Sequence, residues 1–314
     1  MSASVAQAPE SPATIEAMPA TFREPVTTPA AHAADPGAGR GRPFVSITTD
    51  FGSRDPSTAI CVGVIHVIAP SATVLQITSE VAKFRIRDGA LILWAALPYL
   101  PVGVHVGVVD PGVGTDRDPL AIAVGRGDVL VGPDNGLLIP AAERLGGIVA
   151  VHRLESAAYR LANVSTSFHG RDVFAPAAAH LTLGVPIADL GGALDPAALT
   201  GLGWPPVRAV EGALDTAVVY VDSFGNLKLV GEPADLEGAL GPLRPGDRLR
   251  LTWQDVVGDH AVEVPWVETF GRVERGAPLA YEDSYGRICL AANQASGAAL
   301  LGLVEDTAVT ISRA

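Results

Sequence analysis

From Pro43 onward, short apolar runs alternate with stretches of helical spacing. FVSITTD (44–50) is an apolar run closed by polar residues, the pattern of a buried strand. Ser57–Ile68 reads as a helix stopped by Pro70, TVLQIT (73–78) as a second strand, Asp88–Leu97 as a second helix and VHVGVVD (104–110) as a third strand. This alternation predicts a largely parallel sheet with covered faces. PLAIAV (119–124), DVLVGPDNG (128–136) and GIVAVHRL (147–154) extend the sheet, and Ala-rich Phe174–Leu183 predicts another helix. Periodicity is lost around Gly184–Pro206, which reads as a linker. Beyond Gly212 the runs are short and bounded by turn residues: TAVVYVDS, DRLRLTW, HAVEVPWVETF, GRICLAAN and AVTIS. They predict a small barrel or sandwich. The expected fold class is α/β: an N-terminal, mostly parallel α/β sheet domain over 43–206, then a smaller C-terminal all-β barrel domain over 207–314. There is no internal repeat.

Composition modifies this picture in a few places. Residues 1–42 hold 11 Ala and 6 Pro with no apolar segment of signal-peptide type. Such a composition predicts a disordered extension. Gly89 to Val109 carries no formal charge, but Pro98, Pro101, Gly103 and Gly107 interrupt it, so a soluble helix and strand fit better than a bilayer span. The net charge of −12 argues against nucleic-acid or anionic-membrane partners. Cys61 and Cys289 have no neighbour at metal-ligand spacing, and they read as buried thiols of a cytoplasmic protein. Of 22 basic residues only Lys83 and Lys228 are lysines.

Four clusters could carry chemistry: TTDFGSRDPS (48–57), VVDPGVGTDR (108–117), SFHGRDVFAP (167–176) and VDSFGN (221–226). Asp before Gly or Pro is commonly turn chemistry alone, and GVG is too short for a phosphate loop. The placement of Asp50 and Asp110 is more telling. Both fall at carboxyl ends of predicted strands, where open α/β sheets bind ligands.

Together these clusters resemble the S-adenosyl-L-methionine hydrolases, or hydroxide adenosyltransferases, relatives of fluorinase and chlorinase. TDFG, VVDPGVGTxR, GPDNGLL, SFHGRDVFAP, VDSFGN and the C-terminal DSYG followed by Asn293 occur in the family's order, over about residues 43–314. The resemblance implies an α/β domain followed by a β-barrel, and a homotrimer whose sites lie between the N-terminal domain of one subunit and the C-terminal domain of the next. It implies hydrolysis of S-adenosyl-L-methionine to adenosine and L-methionine, with no cofactor and no metal.

Residue by residue, the resemblance implies that Asp50 anchors the ribose hydroxyls, and that Asp55 and Ser57 lie near the methionine portion and the reacting centre. Asp222 would hold the methionine ammonium and Ser284 its carboxylate. Phe224 and Asn226 would form the adenine pocket, with Asn293 in a segment lining it. Asp110, Arg117 and His169 would be the water-activating triad. The chemistry is consistent with this. A sulfonium leaves as a neutral thioether without an acid, so water is the partner that needs activation.

Halogenases of the superfamily carry Tyr where this chain has Asp110, and fluorinase carries Ser at the Gly170 position and an insertion that the short Arg117–Asp128 segment lacks. The chain departs from the hydrolase pattern at Gln76-Ile77-Thr78-Ser79, Thr58-Ala59 and Lys228-Leu229. Two other readings stay open. One is a non-catalytic S-adenosyl-methionine or adenosine binder. The other is a metal-dependent hydrolase using Asp110, Asp134, His169 and Asp172.

Overall fold

The structure is a computed structural model that describes residues 43–210 and 212–314. The Ala/Pro-rich extension lies outside the described residues.

Six strands form the first sheet: β1 (Phe44–Thr49), β2 (Thr73–Thr78), β3 (Val104–Val108), β4 (Pro119–Val124), β5 (Val129–Pro133) and β6 (Ile148–Arg153). Their order is β2-β1-β3-β5-β4-β6. β1, β2, β3 and β5 run parallel, whereas β4 is antiparallel to both neighbours. The reason is chain length. Only residues 125–128 separate β4 from β5, enough for a hairpin but not for the crossover that parallel pairing requires.

Four helices cover the sheet: α1 (Ser57–Ile68), α2 (Ile86–Ala96), α3 (Ile139–Arg144) and α4 (Ala175–Thr182). α1 and α4 bury Ile65, Ala178 and Ala179 with Ile47 and Val106 on one face. α2 and α3 bury Leu93 and Ala142 with Leu120, Ile122 and Leu130 on the other. The sheet is therefore doubly wound, and its ligand edge is left to the loops after β1 and β3. Gly89–Val109 resolves into most of α2, a short turn and β3. Among the described residues no helix is long and apolar enough to cross a membrane.

The second unit is built from β7 (Arg208–Val210), β8 (Ala213–Val221), β9 (Leu227–Leu229), β10 (Arg248–Gln254), β11 (Asp259–Pro265), β12 (Pro278–Glu282), β13 (Ile288–Ala292) and β14 (Ala308–Arg313), with α5 (Pro233–Leu240) and α6 (Gly297–Leu301). The strand order is β11-β10-β14-β8-β9-β13-β12, with β7 on β8 and every pair antiparallel. Trp266 bridges Ala280 of β12, and the Val267 N–H donates to the Ala280 carbonyl at 3.0 Å. The end strands thus nearly close a barrel around Leu214, Leu251, Val264, Leu290 and Ile311.

α2 joins the two units. Leu91 and Trp94 pack with Val219 of β8 and Val230. Arg85 pairs with Glu305 at 2.8 Å and Asp306 at 3.3 Å, and Arg87 also pairs with Asp306.

Candidate active site

Parallel pairing of β1 and β3 brings their carboxyl ends together. Asp50 directly follows β1 and Asp110 lies two residues past β3. Asp50 is 7% exposed, and its Oδ2 accepts from the Phe84 N–H at 3.0 Å. The Asp50 carbonyl accepts from the Lys83 ammonium. Phe84 takes φ 64°, a costly region for a bulky residue, and leaves its ring 69% exposed. A cavity of about 360 Å³ opens here, lined by Asp50, Ser57, Lys83, Phe84, Asp110 and His169 among others. Asp55 lies in the exposed turn before α1 and does not line it.

Asp110 and His169 come from segments 59 residues apart and meet through Arg117. Gly114 makes this approach possible. Its φ is 77°, and a Cβ there would strike the Thr166 carbonyl of the loop that carries His169. Arg117 Nε donates to Asp110 Oδ1 at 3.0 Å and Nη2 donates to Oδ2, a two-pronged hold on the carboxylate. The same Nη2 lies 2.9 Å from His169 Nδ1. A guanidinium has no acceptor, so the bonded Nδ1 carries the lone pair and the neutral ring bears its proton on Nε2. Burial, then the Arg117 charge, pull the His169 pKa below the ordinary histidine value. Arg117 does not itself line the cavity. It stands behind Asp110 and His169, 5.3 Å from the Phe174 ring centroid.

His169 precedes a single π-helical turn, Gly170–Phe174, that runs into α4. A Cβ on Gly170 would come within 3.1 Å of the Phe51 ring, so any larger residue here would press on that wall.

The barrel residues gather around a second, larger cavity of about 880 Å³, lined by Asp222, Phe224, Asn226, Ser284 and Asn293 among others. The Asp222 carboxylate organises its own turn. Oδ1 accepts from the Phe224 and Asn226 N–H groups, each at 2.9 Å, and Oδ2 accepts from Asn226 Nδ2 at 2.8 Å. The Phe224 ring is left 78% exposed. Asn293 Nδ2 donates to the Val273 carbonyl at 2.8 Å. Lys228 and Asp283 line the same cavity and pair at 2.9 Å.

The two residue sets therefore face separate cavities within one chain. Lys83, Phe84 and Asp283 lie beside the predicted residues but were not singled out as site residues. Lys83 had a usable signal, since it and Lys228 are the two lysines of the chain, and each lines one of the two cavities. The four ligands of the metal reading do not converge. Asp172 is taken by Arg171 and the Ser165 N–H, and Asp134 accepts from the Thr200 N–H at 2.9 Å. Among the described residues no group of three His, Cys, Asp or Glu side chains could hold a metal.

Comparison with known proteins agrees with the motifs. Residues 45–191 match the SAM hydroxide adenosyltransferase N-terminal domain, and residues 216–310 match the C-terminal domain of that family. The chain belongs to the SAM hydroxide adenosyltransferase family. An (R)-S-adenosyl-L-methionine hydrolase of Salinispora tropica is 43% identical over 261 residues, covering 83% of this chain and 94% of the relative. A fluorinase of Actinoplanes sp. is 26% identical over 300 residues, covering 87% and 99%. The crystal structure of an uncharacterized conserved protein from Thermotoga maritima superimposes with a TM-score of 0.77 at 29% identity, covering 86% of this chain and all of the other.

Proposed function

We propose that the protein hydrolyses S-adenosyl-L-methionine to adenosine and L-methionine. The observation that carries this reading is the pair Asp110 and His169, which face one cavity at the sheet's ligand edge while Arg117 grips both from behind. Water attacks the ribose 5′ carbon in line with the sulfonium. The new C–O bond forms as the C–S bond breaks, methionine leaves as a neutral thioether, and one proton is released. His169 presents an Nε2–H and orients the water oxygen. The remaining lone pairs of the Asp110 carboxylate take the proton and pass it to solvent. Arg117 holds that carboxylate in place and keeps His169 neutral. Asp50 accepts from the ribose hydroxyls and Ser57 lies near the reacting centre. Asp222 takes the substrate ammonium and Ser284 its carboxylate, with Phe224 and Asn226 against the adenine and Asn293 lining that pocket.

The halogenase reaction is disfavoured, because the Asp110 carboxylate repels halide from the place where a nucleophile must sit. We also infer that the working unit is a homotrimer. Each chain carries its two residue sets on separate cavities, each rimmed by an exposed aromatic, and a head-to-tail cyclic arrangement would pair one set with the other at every junction. A reducing cytoplasm suits the free, buried thiols Cys61 and Cys289.

The test is incubation with S-adenosyl-L-methionine in oxygen-18 water, with chromatography and mass spectrometry. Adenosine labelled at the 5′ hydroxyl is expected. Unlabelled adenosine, a 5′-halogenated nucleoside in chloride or fluoride, or binding without product would overturn the reading.

A further inference from the structure

The ammonium of Lys228 stands between two carboxylates in the barrel cavity. Its Nζ lies 2.9 Å from Asp283 Oδ2 and 3.8 Å from Asp222 Oδ2, with the Cys289 sulfur at 3.6 Å. The side chain is 13% exposed and lines the cavity that Asp222 and Ser284 also line. Burial works against its charge, but Cys289, Asp283 and Asp222 outweigh that and hold it above the usual lysine range.

The two carboxylates are not equivalent. Asp283 Oδ1 is engaged by the Tyr285 and Arg287 N–H groups at 2.8 and 3.0 Å, and its Oδ2 is the direct partner of Lys228. Asp222 is oriented by its own turn and stays beyond hydrogen-bond distance of Nζ. An ammonium has three N–H groups. Nζ donates to the Cys289 sulfur and faces Asp283 Oδ2 as an ion pair, which leaves N–H capacity for a ligand. A guanidinium in this place would spend its fork on Asp283. The chain otherwise uses arginine almost throughout, with 20 Arg among its 22 basic residues, yet keeps lysine here.

We propose that Lys228 is a specificity-determining residue that, with Asp222, reads the zwitterionic head of an α-amino-acid substrate. The substrate ammonium goes to Asp222, and its carboxylate, met on one side by Ser284, takes the free N–H of Lys228 on the other. The fixed charges then match the head end for end. A substrate with an ammonium but no carboxylate would set its charge against Lys228 uncompensated. This rests on the S-adenosyl-methionine reading of the same site and names which part of that substrate is discriminated.

Two measurements separate the inference from the reading beneath it. The first is adenosine release by wild type and Lys228→Met from S-adenosyl-methionine and from its decarboxylated amine analogue. The wild type should prefer the carboxylate-bearing substrate in kcat/KM, and Lys228→Met should lose about 10–100-fold on that substrate, as expected for a lost charge-assisted hydrogen bond, while the amine holds or gains because its ammonium no longer faces Lys228. The second is calorimetric binding of L-methionine and of 3-(methylthio)propylamine to both proteins, which needs no turnover. Lys228→Met should weaken methionine alone. If wild type releases no adenosine, the hydrolase reading fails while calorimetry still tests Lys228. If Lys228→Met weakens both ligands equally, or neither, or if wild type does not favour methionine over the amine, Lys228 only neutralises Asp283 and the inference is overturned.

Discussion

Arg117 Nη2 donates to His169 Nδ1 across 2.9 Å, and that one bond fixes the imidazole tautomer. Protonating the ring would set one N–H against another and break the contact, which is the local reason, beside burial, for the lowered pKa.

The acid limb of kcat should accordingly lie below the ordinary histidine value of about 6.5. A lowered pKa keeps the ring neutral to more acidic pH, so activity persists there and falls only as pH drops through the lowered value. Arg117→Ala removes one of the two main causes of that lowering. It should shift the limb upward and reduce kcat. A wild-type pH profile whose acid limb sits at or above 6.5 would count against His169 as the governing group.

Asp50 and His169 should fail differently. An anchor bound equally in ground and transition states governs KM, whereas a water-orienting group governs kcat. Asp50→Ala should raise KM by about tenfold or more with a smaller effect on kcat. His169→Ala should lower kcat by about 100-fold or more and leave KM near wild type. Normal kcat in His169→Ala would sink the assignment.

The position of Asp50 and Asp110 at the carboxyl ends of β1 and β3 was legible in the sequence, because an apolar run ending in Asp shows where such a strand stops. α1 and α2 were legible from their spacing to within two residues. Other features depend on information the local pattern does not hold. The reversed direction of β4 follows from the length of the turn to β5 rather than from PLAIAV itself. β9 is three residues long and PLAYE of β12 is flanked by charged turns, so neither stood out. Lys83 and Phe84 reach the first cavity from the loop before α2, and Asp283 meets Lys228 from 55 residues away. Such contacts are set by how the loops pack.

Asp88 carries a stability prediction. It is 2% exposed in α2 where that helix meets the barrel, and its Oδ1 makes no hydrogen bond. Burial, then the nearby Glu305 charge, push its carboxyl up to about 7. The folded state therefore binds this proton more tightly than the unfolded chain, and the resulting stability is lost as pH rises through about 7. Asp88→Asn should remove that loss. It should stabilise the fold at pH 8 by about 1 kcal/mol, read as a higher melting temperature, with a smaller gain at pH 5 and little below about pH 4. Equal effects at both pH values would show that Asp88 does not titrate in this way.

The last prediction concerns sharing of the site between subunits. His169→Ala spoils the first cavity and leaves the barrel cavity intact. The complementary variant should be Asp222→Asn rather than Ala, because Oδ1 must still accept from Phe224 and Asn226 to keep their turn. Each variant alone is expected to be nearly inactive. Mix equal amounts under conditions that allow subunit exchange. If each site joins the first cavity of one chain to the barrel cavity of the next, a site works when an Asp222→Asn chain supplies the former and a His169→Ala chain the latter. Random assembly of a closed ring produces that combination at about one junction in four, so about a quarter of wild-type activity should return. If both cavities of one chain formed the site, every site would keep one lesion and nothing would return. Exchange followed by mass-tagged chains, with no recovery of activity, or a fully active monomer in light scattering, would rule out the shared site.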